Sequence, residues 1–156
     1  MNFEQAANTL RQRFKTEFHN RNTAPIGWDN VSGLVKPNGD FIEQAQDSNG
    51  DPIPWVRFAI RPSRAQQISS GAVGNRRFRQ PGTVIVQIFV PTGTGDGKAY
   101  QIADDIAASL RGVTDSGVTL KATSPPQFVG PDGGWWQSNT TTEFQFDLTD
   151  RIKHKP

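Results

Sequence analysis

Hydrophobic periodicity is clearest in the middle of the chain. Across 83–90, Val84, Val86, Ile88 and Val90 share one face of an alternating run, while Ile85 and Phe89 stand on the other. A strand apolar on both sides is expected to be covered on both faces. Pro91 cannot donate to a ladder and closes the strand, and 92–97 is a run of Thr, Gly and Asp with the chemistry of a turn. Ala99, Ile102, Ala103, Ile106, Ala107 and Leu110 then recur at helical spacing. They predict a helix over 97–111, stopped by Gly112.

The first twenty residues predict another amphipathic helix, with Phe3, Ala6, Ala7, Leu10, Phe14 and Phe18 on one side. Asn2 is placed to cap it with Gln5 as reciprocal partner, and Arg11, Arg13 and Lys15 suit the negative end of the helix dipole. His19, beside the stripe near the helix end, suits a cap or surface role. After Pro25, Ile26-Gly27-Trp28 reads as a short edge strand. Trp55 to Ile60 alternates, with Val56, Phe58 and Ile60 against Trp55 and Arg57, and predicts a strand. A weaker strand is expected over 64–70 and a mobile loop over 69–75. Val118, Leu120 and Ala122 mark a strand ended by Pro125-Pro126, and 130–134 reads as a turn. In 139–148, Thr140, Thr142, Phe144, Phe146 and Leu148 point inward, the clearest half-buried strand in the chain. These elements predict one α+β domain over 1–150, mainly antiparallel sheet with the N-terminal helix and the 97–111 helix packed on it. Residues 151–156 read as a disordered basic tail that holds His154.

Charge changes this picture more than size does. A chain of 156 residues is long enough to bury a core without metal or disulfide staples, and it has no cysteine. The N-terminus lacks a basic segment followed by an apolar run, and no stretch approaches a membrane span, so a soluble, unexported protein is expected. The net charge is only +2, yet six arginines and no acid lie between Pro52 and Gly95, which leaves the remainder at net −4. Arg57, Arg61, Arg64, Arg76, Arg77 and Arg79 read either as a solvated loop and strand face or as one basic surface for an acidic protein face, with nucleic acid less favoured.

Sequence offers little catalytic chemistry. The turn at 93–98 sits where phosphate loops are built, but Thr92 and Ala99 occupy the positions that a Walker A loop gives to glycine and Ser or Thr, and Lys98 breaks the dinucleotide pattern. Two histidines are too few for a triad or a histidine metal site. The 38–54 segment has Asp47, Asn49 and Asp51 without the alternating ligands and closing Glu of a calcium loop. Asp104 and Asp105 are neighbours on a helix and cannot converge on one ligand; a solvated face is expected, or pairing with arginines of a neighbouring subunit. Trp135 and Trp136 should point to opposite sides of an extended segment, one entering the core and one exposed as an interface anchor, or both packed over the sheet edge. Neither an enzyme nor a bound cofactor or metal is expected.

The chain resembles the tail-terminator-like proteins of long-tailed bacteriophages. The likeness runs from the first helix to about Leu148. It rests on Arg76-Arg77-Phe78-Arg79-Gln80-Pro81-Gly82 leading into Val90-Pro91, on Ala103-Asp104-Asp105-Ile106 and on Gly134-Trp135-Trp136-Gln137. The resemblance implies a small structural virion subunit that assembles as a sixfold ring on the head-proximal end of the tail tube, ends tube polymerisation and presents a surface to the head-tail connector. The implied partners are further copies of itself, the tail tube protein and the connector protein. Arginines facing the lumen would meet passing DNA through its phosphates without sequence specificity. The implied location is the virion tail, with the host cytoplasm as the site of assembly and no membrane involved. A neighbouring connector or minor tail component of similar fold is the alternative, and a nucleotide- or nucleic-acid-binding protein is a third.

Overall fold

The computed structural model describes residues 1–69 and 76–150. Of the expected 69–75 loop only Ser69 falls within them, and the 151–156 tail with His154 lies outside.

In chain order the elements are α1 (Phe3–His19), β1 (Ile26–Trp28), β2 (Leu34–Val35), β3 (Phe41–Ile42), β4 (Trp55–Pro62), β5 (Gln66–Gln67), β6 (Arg76–Pro91), α2 (Gly97–Leu110), β7 (Thr114–Asp115), β8 (Val118–Thr123), β9 (Gln127–Asp132) and β10 (Trp135–Asp150). The strands form one ten-stranded sheet in the order β3-β2-β1-β4-β6-β10-β8-β7, with β5 added to β6 and β9 added to β10. β1 and β4 are parallel and the other pairs antiparallel. The α+β architecture expected from periodicity is present.

The capping box on α1 forms in full: Asn2 accepts from the Gln5 backbone N–H at 2.8 Å, and Gln5 accepts from the Asn2 backbone at 3.0 Å. Ala6, Leu10, Phe14 and Phe18 are the buried positions of that helix. Phe14 stacks between Phe18 and Phe58, each at a centroid distance of 4.9 Å. α2 buries Ala99, Ile102, Ala103, Ile106 and Leu110, and Gly112 follows at φ 68°. The Arg13 Nε donates to the Ser109 carbonyl and ties the two helices together. Both helices join the same apolar cluster, which takes the even-numbered residues Val56 and Phe58 of β4, Val84 to Val90 of β6, and Phe144 and Phe146 of β10. The core therefore lies on one side of the sheet, and the opposite side has no helix among the described residues.

That arrangement corrects the expectation that the 83–90 strand is covered on both faces. Val84, Val86, Ile88 and Val90 are buried, whereas Ile85 is half-exposed. Phe89 is the exception because Trp55 stacks on it at 4.1 Å. β1 is not an edge strand either: the segment after it folds back as β2 and β3. The weak 64–70 strand shrinks to the two residues of β5. Only 133–134 of the expected turn at 130–134 is a turn, because Gly130, Pro131 and Asp132 belong to β9. β9 pairs on one side only among the described residues, and a proline is tolerated at such an edge. Within 38–54, Asp47 accepts the backbone N–H groups of Asn49 and Asp51, which makes the segment a self-contained turn closed by a Gln46–Pro52 bridge.

Candidate functional site

The side of the sheet without helices is built from the odd-numbered residues of β4, β6 and β10. Cross-strand register places Arg57, Gln87 and Asn139 in one row, Ala59, Ile85 and Thr141 in the next, and Arg61, Thr83 and Glu143 in a third. A polar, half-exposed surface of this kind is what one-sided helix cover leaves behind. At one end it becomes aromatic. Trp55, stacked on Phe89, meets Trp135 edge-on at 6.2 Å, and the Arg57 guanidinium lies 5.6 Å from the Trp55 ring centre. A cleft of about 420 Å³ opens beside this group, with Leu34, Ala45 and Pro52 among its walls.

The six arginines do not form one compact basic patch. They run along the sheet from Arg57, opposite Gln87, to Arg76, at the start of β6, a span of about 36 Å. Arg61 pairs with Asp29 at 2.8 Å, and Arg77 and Arg79 share Asp147 at 2.8 and 3.2 Å. Arg76 is half-buried in register with Asp150, and Arg64 is exposed. Arg57 is exposed and has no carboxylate at ion-pair distance among the described residues.

The two tryptophans divide between the faces, but neither is exposed. Trp135 joins Trp55 on the open side, while Trp136 packs against the core beside Phe128 at 6.2 Å. Both are half-buried, because aromatic neighbours are present on each side. Asp105 also departs from the expected solvated face. It is half-buried and accepts from the side-chain amide of Asn22 at 2.8 Å, and Asn22 in turn accepts the Ala24 backbone N–H. Asp105 thereby pins α2 to the connection after α1. Asp104 remains exposed on α2.

Periodicity missed a second aromatic group, on the helix side. Tyr100 meets Phe128 edge-on at 5.5 Å, and Tyr100 and Val129 are 46% and 61% exposed, large values for such side chains. The available signals were a tyrosine off the apolar stripe of α2 and a Phe-Val pair in an unassigned segment. The Gly-rich turn lies close by, with Gly93 and Gly95 at φ 89° and 82°. Asp96 stands at the N-cap position before α2, where its carboxylate disfavours a phosphate at that N-terminus, and Lys98 Nζ is directed to Gln101.

His19 is half-buried, and its Nε2 donates to the Ala24 carbonyl at 3.0 Å. Desolvation lowers its pKa, the hydrogen bond to Ala24 opposes that effect, and Lys15 adds to it. Among the described residues no three His, Asp or Glu side chains gather to hold a metal ion, and no helix is long and apolar enough to cross a membrane.

No protein-family model and no curated protein matches the chain. A solved structure that bears only a serial identifier for a name is similar in fold, with a TM-score of 0.61 and 16% identity over 100% of this chain and 99% of that one. The likeness extends over the whole of both chains, and at that identity it describes architecture alone.

Proposed function

We propose that the chain is a structural virion subunit of the tail-terminator type, which assembles as a ring on the tail tube, stops its growth and offers a joining surface to the connector. The observation that carries the reading is the one-sided sheet: its open face sets Arg57 and the Trp55, Phe89 and Trp135 group beside a row of uncharged polar side chains. Aromatic anchors with a cation and satisfiable polar neighbours are the usual components of a protein interface. The resemblance of 76–91, 103–106 and 134–137 to tail-terminator-like proteins supplies the kind of assembly. Arginines along the open face would meet acidic surfaces of neighbouring subunits, or DNA phosphates within a lumen.

Electron microscopy of the cognate tube protein, polymerised with and without the purified chain, tests the reading. Tubes that stop short and carry a ring at one end are the expected result. Bare tubes of unchanged length would overturn termination and direct the next test to the connector side.

A further inference from the structure

We propose that Asn49 is a site of spontaneous covalent modification: its side-chain amide closes onto the Gly50 nitrogen, releases ammonia and reopens with water to aspartate or isoaspartate. A second Asn-Gly pair, Asn38-Gly39, lies in a turn of the same form and is held back from that reaction. The reaction is a property of the single chain and does not depend on ring assembly.

The two pairs close matching loops. Lys36 donates its backbone N–H to the Asp40 carbonyl at 2.8 Å and Gly39 donates to the Lys36 carbonyl at 2.9 Å; Asp47 donates to the Asp51 carbonyl at 2.9 Å and Gly50 to the Asp47 carbonyl at 3.0 Å. Gly39 and Gly50 share the left-handed backbone, at φ 90° and 82°, and beyond the chain neighbours no atom lies within 4 Å of where a Cβ would stand on either. Asn38 and Asn49 are both exposed. Backbone form and access to water therefore favour neither pair. The side-chain amides differ. Asn38 caps its own loop: Oδ1 accepts the Asp40 backbone N–H at 2.9 Å, and Nδ2 donates to the Asp40 carboxylate at 3.0 Å. In the second loop Asp47 supplies the cap, accepting the N–H groups of Asn49 and Asp51 on one oxygen, each at 2.9 Å. That leaves the Asn49 amide without a hydrogen-bond partner among the described residues.

Cyclisation needs the amide carbon free to swing onto the next nitrogen, and a following glycine has no side chain to obstruct the approach. The Gly50 nitrogen, having lost its proton to solvent, bonds to the Asn49 Cγ; the Cγ–Nδ2 bond breaks, and Nδ2 takes up a proton and leaves as ammonia. Water then opens the cyclic imide. Addition at Cγ gives aspartate, whereas addition at the main-chain carbonyl gives isoaspartate, whose main chain is longer by one carbon. Asn38 must first surrender two hydrogen bonds, one of them to a carboxylate, and this slows it by about tenfold or more. Either product sets a new carboxylate beside Asp47 and Asp51, and the longer isomer no longer fits the loop closed by the Gln46–Pro52 bridge. Gly50 and Pro52 both line the cleft beside Trp55 and Arg57, so the modification alters a wall of that cleft.

The purified full chain, aged at mildly alkaline pH and then digested, tests the site by mass spectrometry of its peptides together with isoaspartate-specific methyl labelling. Conversion at Asn49 is expected to outpace conversion at Asn38 by about tenfold or more. Equal rates, or faster loss at Asn38, would overturn the proposal. Asp40→Ala, with circular dichroism as a fold check, removes the carboxylate that holds Asn38 Nδ2 and should speed conversion at Asn38 about threefold or more while leaving Asn49 as it was. An unchanged Asn38 rate in that variant would overturn the tether as the cause. Tryptophan emission reads the cleft: it should drift as the parent ages and hold steady in Asn49→Ser. A parent converted at Asn49 with unchanged emission would overturn the effect on the cleft wall.

Discussion

Along β6 and β10, neighbouring residues lead to opposite surroundings. The even-numbered side chains between Val84 and Val90 and at Phe144 and Phe146 enter the core with Phe14, Phe18 and Ile102, whereas most odd-numbered ones, Phe89 excepted, reach a half-exposed surface that includes Gln87, Asn139 and Thr141. The same backbone ladder supports both. The helix side therefore accounts for most of the hydrophobic stabilisation, and the other side, outside Ala59 and the Trp55–Phe89 stack, is free to vary in composition with little effect on the fold. Recognition is expected where the sequence is not committed to packing.

The largest effect that tests this division is at Phe14. Phe14→Ala removes a fully buried ring stacked on two others and should cost about 3–5 kcal/mol in a urea melt, whereas Arg57→Ala should change stability by no more than about 0.5 kcal/mol. Comparable losses from the two would break the comparison. Next comes Gly82, which faces Phe144 in register; a Cβ there would run into the Phe144 ring. Gly82→Ala should cost about 1–3 kcal/mol, and Phe144→Leu in the same chain should recover part of it, measured by the same melts. Asn22→Ala removes a buried amide that serves both Asp105 and the Ala24 N–H, for an expected loss of about 1–2 kcal/mol. If that loss is absent, α2 does not depend on the bond.

The smallest effect is one of pH. Burial lowers the folded-state pKa of His19 below its ordinary 6.5, so the unfolded chain takes up the proton first as pH falls. Stability present above pH 6.5 should decline as pH drops below it and level off past the folded-state value. Thermal melts between pH 8 and pH 5 should show this decline, and His19→Gln should flatten it.

Much of the helix side was legible in the sequence. The Asn2 and Gln5 capping box, the Ala99 to Leu110 stripe and the Thr140 to Phe146 alternation each follow from local spacing, and the structure contains them. What spacing does not carry is the identity of the neighbour across a gap. The periodicity of Ile85 and Phe89 implied cover, but only Phe89 receives it, from Trp55 on another strand. Two-residue strands such as β2 and β3 are too short to show a period, and Pro131 hid β9. The Arg77–Asp147 pair, 70 positions apart, depends on register that no local pattern announces. Tyr100 and Val129 were illegible for a related reason: a surface apolar residue becomes informative only once its neighbours are known.

The central ladder of β6 against β10 also has a consequence for the order of events during synthesis. It joins distant positions, Val86 and Thr140 being 54 apart, and the strands meet only after α2 and three further strands have been made. Formation of such non-local pairs is slow. β10 supplies Trp135 to the aromatic group of the open face and Trp136 to the packing beside Phe128. A nascent chain that has not yet closed this ladder thus has neither aromatic group in place, and any binding through the open face waits until translation has passed β10.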